Sequence, residues 1–181
     1  MNFEFQILDW LQTIHMPVLD KIMIVASSLA SGGIIWVCLA VLLLLVPKTR
    51  KLGLVLAAGL LIEFICCNLI LKPLVARTRP YDINTGVKLI VGAPRDYSFP
   101  SGHSGISFAA VGSLFFAKSR LWIPSLILAV IIAFSRLYLY VHYPTDVVTG
   151  MVLGILCGWA GNKLIVTLDK RVSSKKINKV D

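Results

Sequence analysis

Leu52-Gly-Leu-Val-Leu-Ala-Ala-Gly-Leu-Leu-Ile-Glu-Phe-Ile-Cys-Cys-Asn-Leu-Ile-Leu71 is a run of twenty residues with one charge, Glu63, and with Lys51 and Lys72 at its two ends. As a helix rising about 1.5 Å per residue it crosses about 30 Å, the thickness of bilayer hydrocarbon. Four other stretches read in the same way: Ile22–Val46, Ser101–Ala117, Leu121–Val141 and Val147–Leu168. The Ser101–Ala117 stretch is the shortest and is rich in Gly, Ser and Ala, small residues that let helix backbones approach closely. The chain has 181 residues, 57% hydrophobic and 15% charged, with a mean hydropathy of +0.81. Soluble domains average about 25% charged residues, so these values exclude an ordinary soluble fold as well as a disordered chain. The expected fold is all-α: a polytopic membrane bundle of about five transmembrane helices, forming a single domain over residues 1–181.

Outside the spans, residues 1–20 mix Phe3, Phe5, Leu8, Trp10 and Leu11 with Glu4, Gln6, Asp9 and Gln12. That pattern predicts a short amphipathic helix lying in the interface and ending before Pro17. The net charge of +9 then divides into two groups. Lys48, Arg50, Lys51, Lys118, Arg120, Lys163, Lys170, Arg171, Lys175, Lys176 and Lys179 fall on one side if five spans alternate, the last five of them in a basic tail over residues 170–181. The positive-inside rule makes that side cytoplasmic, and a membrane rather than nucleic acid the partner of the charge. The loops 72–100 and 142–146 then face outward. Seven cations remain: Lys21, Lys72, Arg77, Arg79, Lys88, Arg95 and Arg136. Surface pairing with Asp20, Asp82, Asp96 and Asp146 is open to all seven, and it accounts for Lys21, Lys88 and Arg95. The surroundings of Lys72, Arg79 and Arg136 argue otherwise.

Three outward segments carry those residues. The first runs from Lys72 to Arg79-Pro80, with Pro73 suited to the first turn of a new short helix, on which Lys72 and Arg79, seven apart, share a face. Two cations side by side repel unless an anion lies between them, and Arg grips phosphate oxygens in bidentate fashion. The second is Phe99-Pro-Ser-Gly-His-Ser104, where Ser101 suits a helix N-cap, Gly102 allows close backbone approach, and the first-turn N–H groups favour an anion beside His103. The third runs from Ser135-Arg136 to His142 and Asp146. It places Arg136 six residues inside the end of a span, where a charge faces a polar cavity rather than lipid. Asp146, in the first turn after Pro144, is near enough to His142 to fix its tautomer. A His oriented by a carboxylate is a nucleophile, a second His can protonate a leaving oxygen, and dispersed cations suit a phosphoryl group.

The series Lys-x6-Arg-Pro, Pro-Ser-Gly-His and Ser-Arg-x5-His-x3-Asp, over residues 72–146, resembles the signature of the type 2 phosphatidic acid phosphatase family, which also includes vanadium haloperoxidases. The resemblance implies that His142 attacks phosphorus to give a phosphohistidine, that Asp146 holds His142, and that His103 serves as general acid and then base. Lys72, Arg79, Ser101, Gly102 and Arg136 would hold the phosphate oxygens. It implies no metal and no cofactor. The short build is similar to that of small bacterial members, which remove phosphate from undecaprenyl diphosphate, phosphatidylglycerol phosphate or phosphatidic acid in the cytoplasmic membrane. By that resemblance, undecaprenyl diphosphate is the favoured substrate, since its recycling is needed on the outer leaflet toward which the site points. A lipid phosphotransferase of the same family and a non-catalytic membrane protein are the alternatives. The partners expected are thus a lipid phosphate or isoprenoid diphosphate and membrane lipids. Glu63, costly in mid-span, is read evenly as part of a proton path or cavity floor and as a hydrogen-bonded structural residue. His15 is read as an interfacial amphipath.

Overall fold

A computed structural model describes residues 3–177; Lys179 and the side chains of Lys175 and Lys176 in the basic tail lie outside the described residues. All regular structure among the described residues is helical. Helix α1 (Phe3–Gln12) is the expected amphipathic helix, with Leu8 and Leu11 buried and Phe3 and Trp10 on its open face. Helix α2 (Pro17–Leu29) starts with proline in its first turn, where the missing N–H costs no helical bond.

The expected single span Ile22–Val46 is instead two helices. Helix α2 and helix α3 (Ile34–Leu45) meet at an angle of 51° across Ser31–Gly33. Gly32 and Gly33 have φ of 60° and 70°, in the left-handed region that side chains disfavour. A Cβ at Gly33 would also lie 2.3 Å from Ile106 Cδ1, so that side chain would have to move.

Helix α4 (Arg50–Phe64) continues through a widened π-type stretch, Ile65–Leu71, into the single-turn α5 (Lys72–Val75). The short helix expected from Lys72 to Arg79 stops at Val75, because Ala76 turns into the left-handed region at φ 47°. Another turn of helix, α6 (Pro80–Ile83), follows. Helix α7 (Gly102–Phe116) is the centre of the bundle, packed by α9, α8 and α4, and ten of its fifteen residues are buried. Its Gly, Ser and Ala content reflects that position. A helix enclosed by protein needs little lipid-facing surface, and its neighbours can come close. Trp36 of α3 donates to Ser107 on α7 at 3.0 Å, which satisfies two polar groups buried together.

Helix α8 (Trp122–Tyr138) ends three residues before the expected Val141, so Arg136 lies in its last turn rather than six residues inside. Helix α9 (Pro144–Ile177) starts at Pro144 and carries on past Leu168 through the start of the basic tail. Lys51, in the first turn of α4, pairs with Asp169 in the C-terminal part of α9 at 2.5 Å. The cationic links are thereby at the end of the bundle opposite to α1 and the loops of the three motifs. By length and composition Arg50–Ile83 and Pro144–Arg171 are sufficient to cross a bilayer, and the bent α2–α3 pair is a third candidate. Helices α7 and α8, of 15 and 17 residues, fall short of about 20.

Candidate active site

The three motif segments meet around one cavity of about 240 Å³, whose wall includes Lys72, Arg79, Gly102, His103, Arg136 and His142. Helix N-termini supply part of the arrangement. Ser101 caps α7, its hydroxyl accepting from the Ser104 N–H at 3.4 Å. The Ser101 N–H donates to the Asp146 carbonyl at 3.0 Å, which pins the start of α7 to the start of α9. Ser101 is fully buried behind the wall, and its hydroxyl serves that cap. Gly102 does line the cavity; a Cβ there would lie 3.7 Å from the Lys72 ammonium.

His142, 1% exposed, follows a tight turn at Tyr140, whose φ is 60°. Its two ring nitrogens face opposite ways. Nδ1 lies 3.5 Å from Asp146 Oδ2, an ion-pair approach longer than a well-formed hydrogen bond. Nε2 faces the cavity, 3.3 Å from Arg79 Nη1. Burial holds the imidazole neutral, well below the ordinary histidine range; Asp146 opposes this, and Arg136 and Arg79 reinforce it. His103 looks into the same cavity from α7, its Nε2 3.5 Å from Ser31 Oγ at the break between α2 and α3. Arg136, 4% exposed, reaches from α8 to the Ser27 hydroxyl of α2 and leaves Nε without a protein partner.

Lys72 and Arg79 come together although no common helix face joins them. Asp96, from the loop after α6, lies between: one carboxylate oxygen takes the Lys72 ammonium and the other takes Arg79 Nη2 at 2.7 Å. Partial burial favours the neutral acid, but the two cations prevail and hold the Asp96 carboxyl at about 2. Arg79 also donates to the carbonyls of Asp96 at 2.8 Å and Val141 at 2.6 Å. The anion that two adjacent cations require is therefore present within the chain. Pairing with Asp96, one of the acids available to the outer cations, was expected not to explain Lys72 and Arg79, yet loop folding brings it to both from seventeen residues beyond Arg79. Arg77 was the other residue left without a role; it meets the Asp146 carboxylate.

Glu63 is fully buried on the cavity wall, and neither oxygen meets a protein donor with hydrogen-bond geometry. The Cys67 thiol lies beside it one turn on, so its place on the wall is compatible with both readings. His15 stacks on Tyr138 with ring centroids 4.2 Å apart, and it does not line the cavity. The apolar part of the wall comes from the α2–α3 break with Ala30 and Gly33, from the end of α4 with Phe64, and from α7 with Ile106.

A helical membrane bundle with a cluster of cations and two histidines around one cavity defines a membrane-embedded phosphatase. The chain belongs to the PAP2 superfamily, which it matches over residues 48–169. It is 31% identical to an undecaprenyl-diphosphatase of Sulfolobus acidocaldarius, over 85% of this chain and 74% of that protein. It is 33% identical to a lipid A 4'-phosphatase of Bacteroides thetaiotaomicron, over 87% of this chain and 75% of that one. The fold is similar to the crystal structure of a transmembrane PAP2-type phosphatidylglycerolphosphate phosphatase from Bacillus subtilis, with a TM-score of 0.70, 24% identity, and coverage of 92% of this chain and 84% of that one. The protein is thus a hydrolase acting on phosphate esters in the membrane.

Proposed function

We propose that the protein releases phosphate from a lipid carried in the outer leaflet, with undecaprenyl diphosphate as the favoured substrate. The observation that carries this reading is the orientation of His142, with Nδ1 toward Asp146 and Nε2 toward the cation-lined cavity. In the first step Nε2 bonds to phosphorus as the P–O bond to the lipid breaks, and His103 supplies a proton to the leaving oxygen. In the second, water attacks phosphorus, gives its proton to His103 and breaks the P–N bond, which restores both histidines. Lys72, Arg79 and Arg136 neutralise the oxygens of the transferring group, with the Gly102 backbone close by. Ser101 contributes through the cap that orients the α7 N-terminus. The phosphate displaces the Asp96 carboxylate from Lys72 and Arg79. The apolar wall accommodates the first part of the lipid tail.

The cytoplasmic cations support an orientation with the site outward and the C-terminus inside. Relatives act on chemically different lipid phosphates by their names, so the experiment is a phosphate-release assay on purified protein across isoprenoid diphosphates, phosphatidylglycerol phosphate and phosphatidic acid. Highest kcat/KM on the isoprenoid diphosphate is expected. Far faster cleavage of phosphatidylglycerol phosphate would overturn the substrate assignment.

A further inference from the structure

Arg77 lies outside the phosphate cradle, yet its guanidinium is engaged on both sides. Its Nη1 donates to Asp146 Oδ1 at 2.6 Å and to the Thr145 hydroxyl at 2.7 Å. Nη2 donates to Glu4 Oε2 at 2.6 Å, and the guanidinium lies 3.8 Å above the Tyr143 ring. Glu4 in turn accepts from the Thr145 N–H at 3.2 Å and hydroxyl at 2.6 Å, so the first turn of α1 is tied onto the first turn of α9. The Asp146 side chain is fully buried. Its Oδ2 receives the Ser98 hydroxyl, the Tyr143 N–H at 2.9 Å and the approach of His142 Nδ1. Oδ1 is held by Arg77. Without that bond Oδ1 loses its partner, the carboxylate is held from one oxygen alone, and a buried charge loses its counter-ion. Burial alone would lower the basicity of Arg77, yet the Asp146 and Glu4 carboxylates raise it, so its charge is permanent.

We propose that Arg77 is a positioning residue of the reaction: it fixes the Asp146 carboxylate that orients His142, and through Glu4 it makes the docking of helix α1 part of that alignment. The inference rests on the assignment of His142 as nucleophile. It also has an electrostatic signature. The His142–Asp146 pair is faced by Arg77 and Glu4 on one side and by Arg79, Arg136 and His103 on the cavity side. A cation beside the pair opposes its protonation; an anion favours it. Loss of Arg77 therefore moves the acid limb of the rate profile to higher pH, and loss of the Glu4 charge moves it to lower pH.

The test uses purified full-length protein and whichever lipid phosphate the wild type hydrolyses. It compares kcat, KM and the pH profile of Arg77→Gln, Arg77→Lys, Glu4→Gln and His142→Ala, with thermal unfolding as a fold control. Arg77→Gln is expected to lose about 10- to 100-fold in kcat through misalignment. Its KM should stay within about twofold, since Arg77 is placed behind the pair and not on the substrate. Its acid limb should rise by about 1 pH unit. Arg77→Lys keeps the charge and should recover part of kcat and the limb. Wild-type kcat and limb in Arg77→Gln, or a rise in KM alone, overturns the proposal. Should Arg77→Gln not fold, Glu4→Gln decides, and an unmoved limb there overturns it too. Activity retained in His142→Ala would instead defeat the underlying nucleophile assignment.

Discussion

At the scale of single residues, the cavity is a set of cations held apart by one carboxylate. Asp96 pairs with Lys72 and Arg79, so on the proposed phosphate cradle it competes with phosphate for the same two groups. Asp96→Asn should therefore strengthen inhibition by inorganic phosphate about 5-fold, the worth of about 1 kcal/mol for a partly exposed ion pair. A competitive-inhibition series reads this directly, and an unchanged inhibition constant would contradict it. His142→Ala should reduce phosphate release to background while thermal unfolding stays close to wild type; persistent turnover would exclude the nucleophilic role. The residues of the three motifs were legible in the sequence because each sits in a local pattern of helix start, proline and charge. Ser98 was not, and Arg77 and Asp96 were visible only as an outer cation and a surface acid, since each joins the site through loop contacts that no periodicity encodes. Ser101 was legible as a cap, and its burial behind the cavity wall follows from that same role.

At the scale of elements, the site depends on how closely α7 and α9 approach. A Cβ at Gly154 would lie 2.2 Å from the Gly105 carbonyl, so the backbones are in contact there. Within a membrane such contact is worth more than apolar burial, because lipid already solvates apolar side chains. Gly154→Ala should force the two helices apart and cost about 1–3 kcal/mol, seen as a lower Tm in detergent. Activity should fall with it, because α7 carries His103 and α9 carries Asp146; an unshifted Tm would show that the helices are not held by this contact. The positions of α4, α7, α8 and the start of α9 were readable from apolar run length and proline. The break between α2 and α3 was hidden inside a continuous apolar stretch, where Gly32-Gly33 marks a turn only once its left-handed backbone is known. The end of α5 was equally silent, because Ala76 is a good helix former that adopts a left-handed conformation.

At the scale of the molecule, orientation and pH response can each be tested. In a background without the native cysteines, Lys88→Cys should react with an impermeant maleimide in intact cells, and Lys48→Cys only after permeabilisation. The reverse pattern would invert the topology drawn from the cation distribution. The profile of kcat/KM should be bell-shaped, with one histidine neutral and the other protonated. Its acid limb should fall below pH 6.5, because burial holds His142 below that ordinary value; a limb above it, or a flat profile from about pH 5 to 9, would contradict the division of roles. The contact between α7 and α9 has one more consequence. Helices joined backbone to backbone have no side-chain layer to slide over, so His103 on the cavity wall and Asp146 behind it move as one body. Opening for a bulky lipid then falls to the opposite wall, where the α2–α3 break meets α4. The enzyme resembles a vice with one fixed jaw, and substitutions that stiffen Gly32 should slow product departure while leaving the chemistry on the fixed jaw intact.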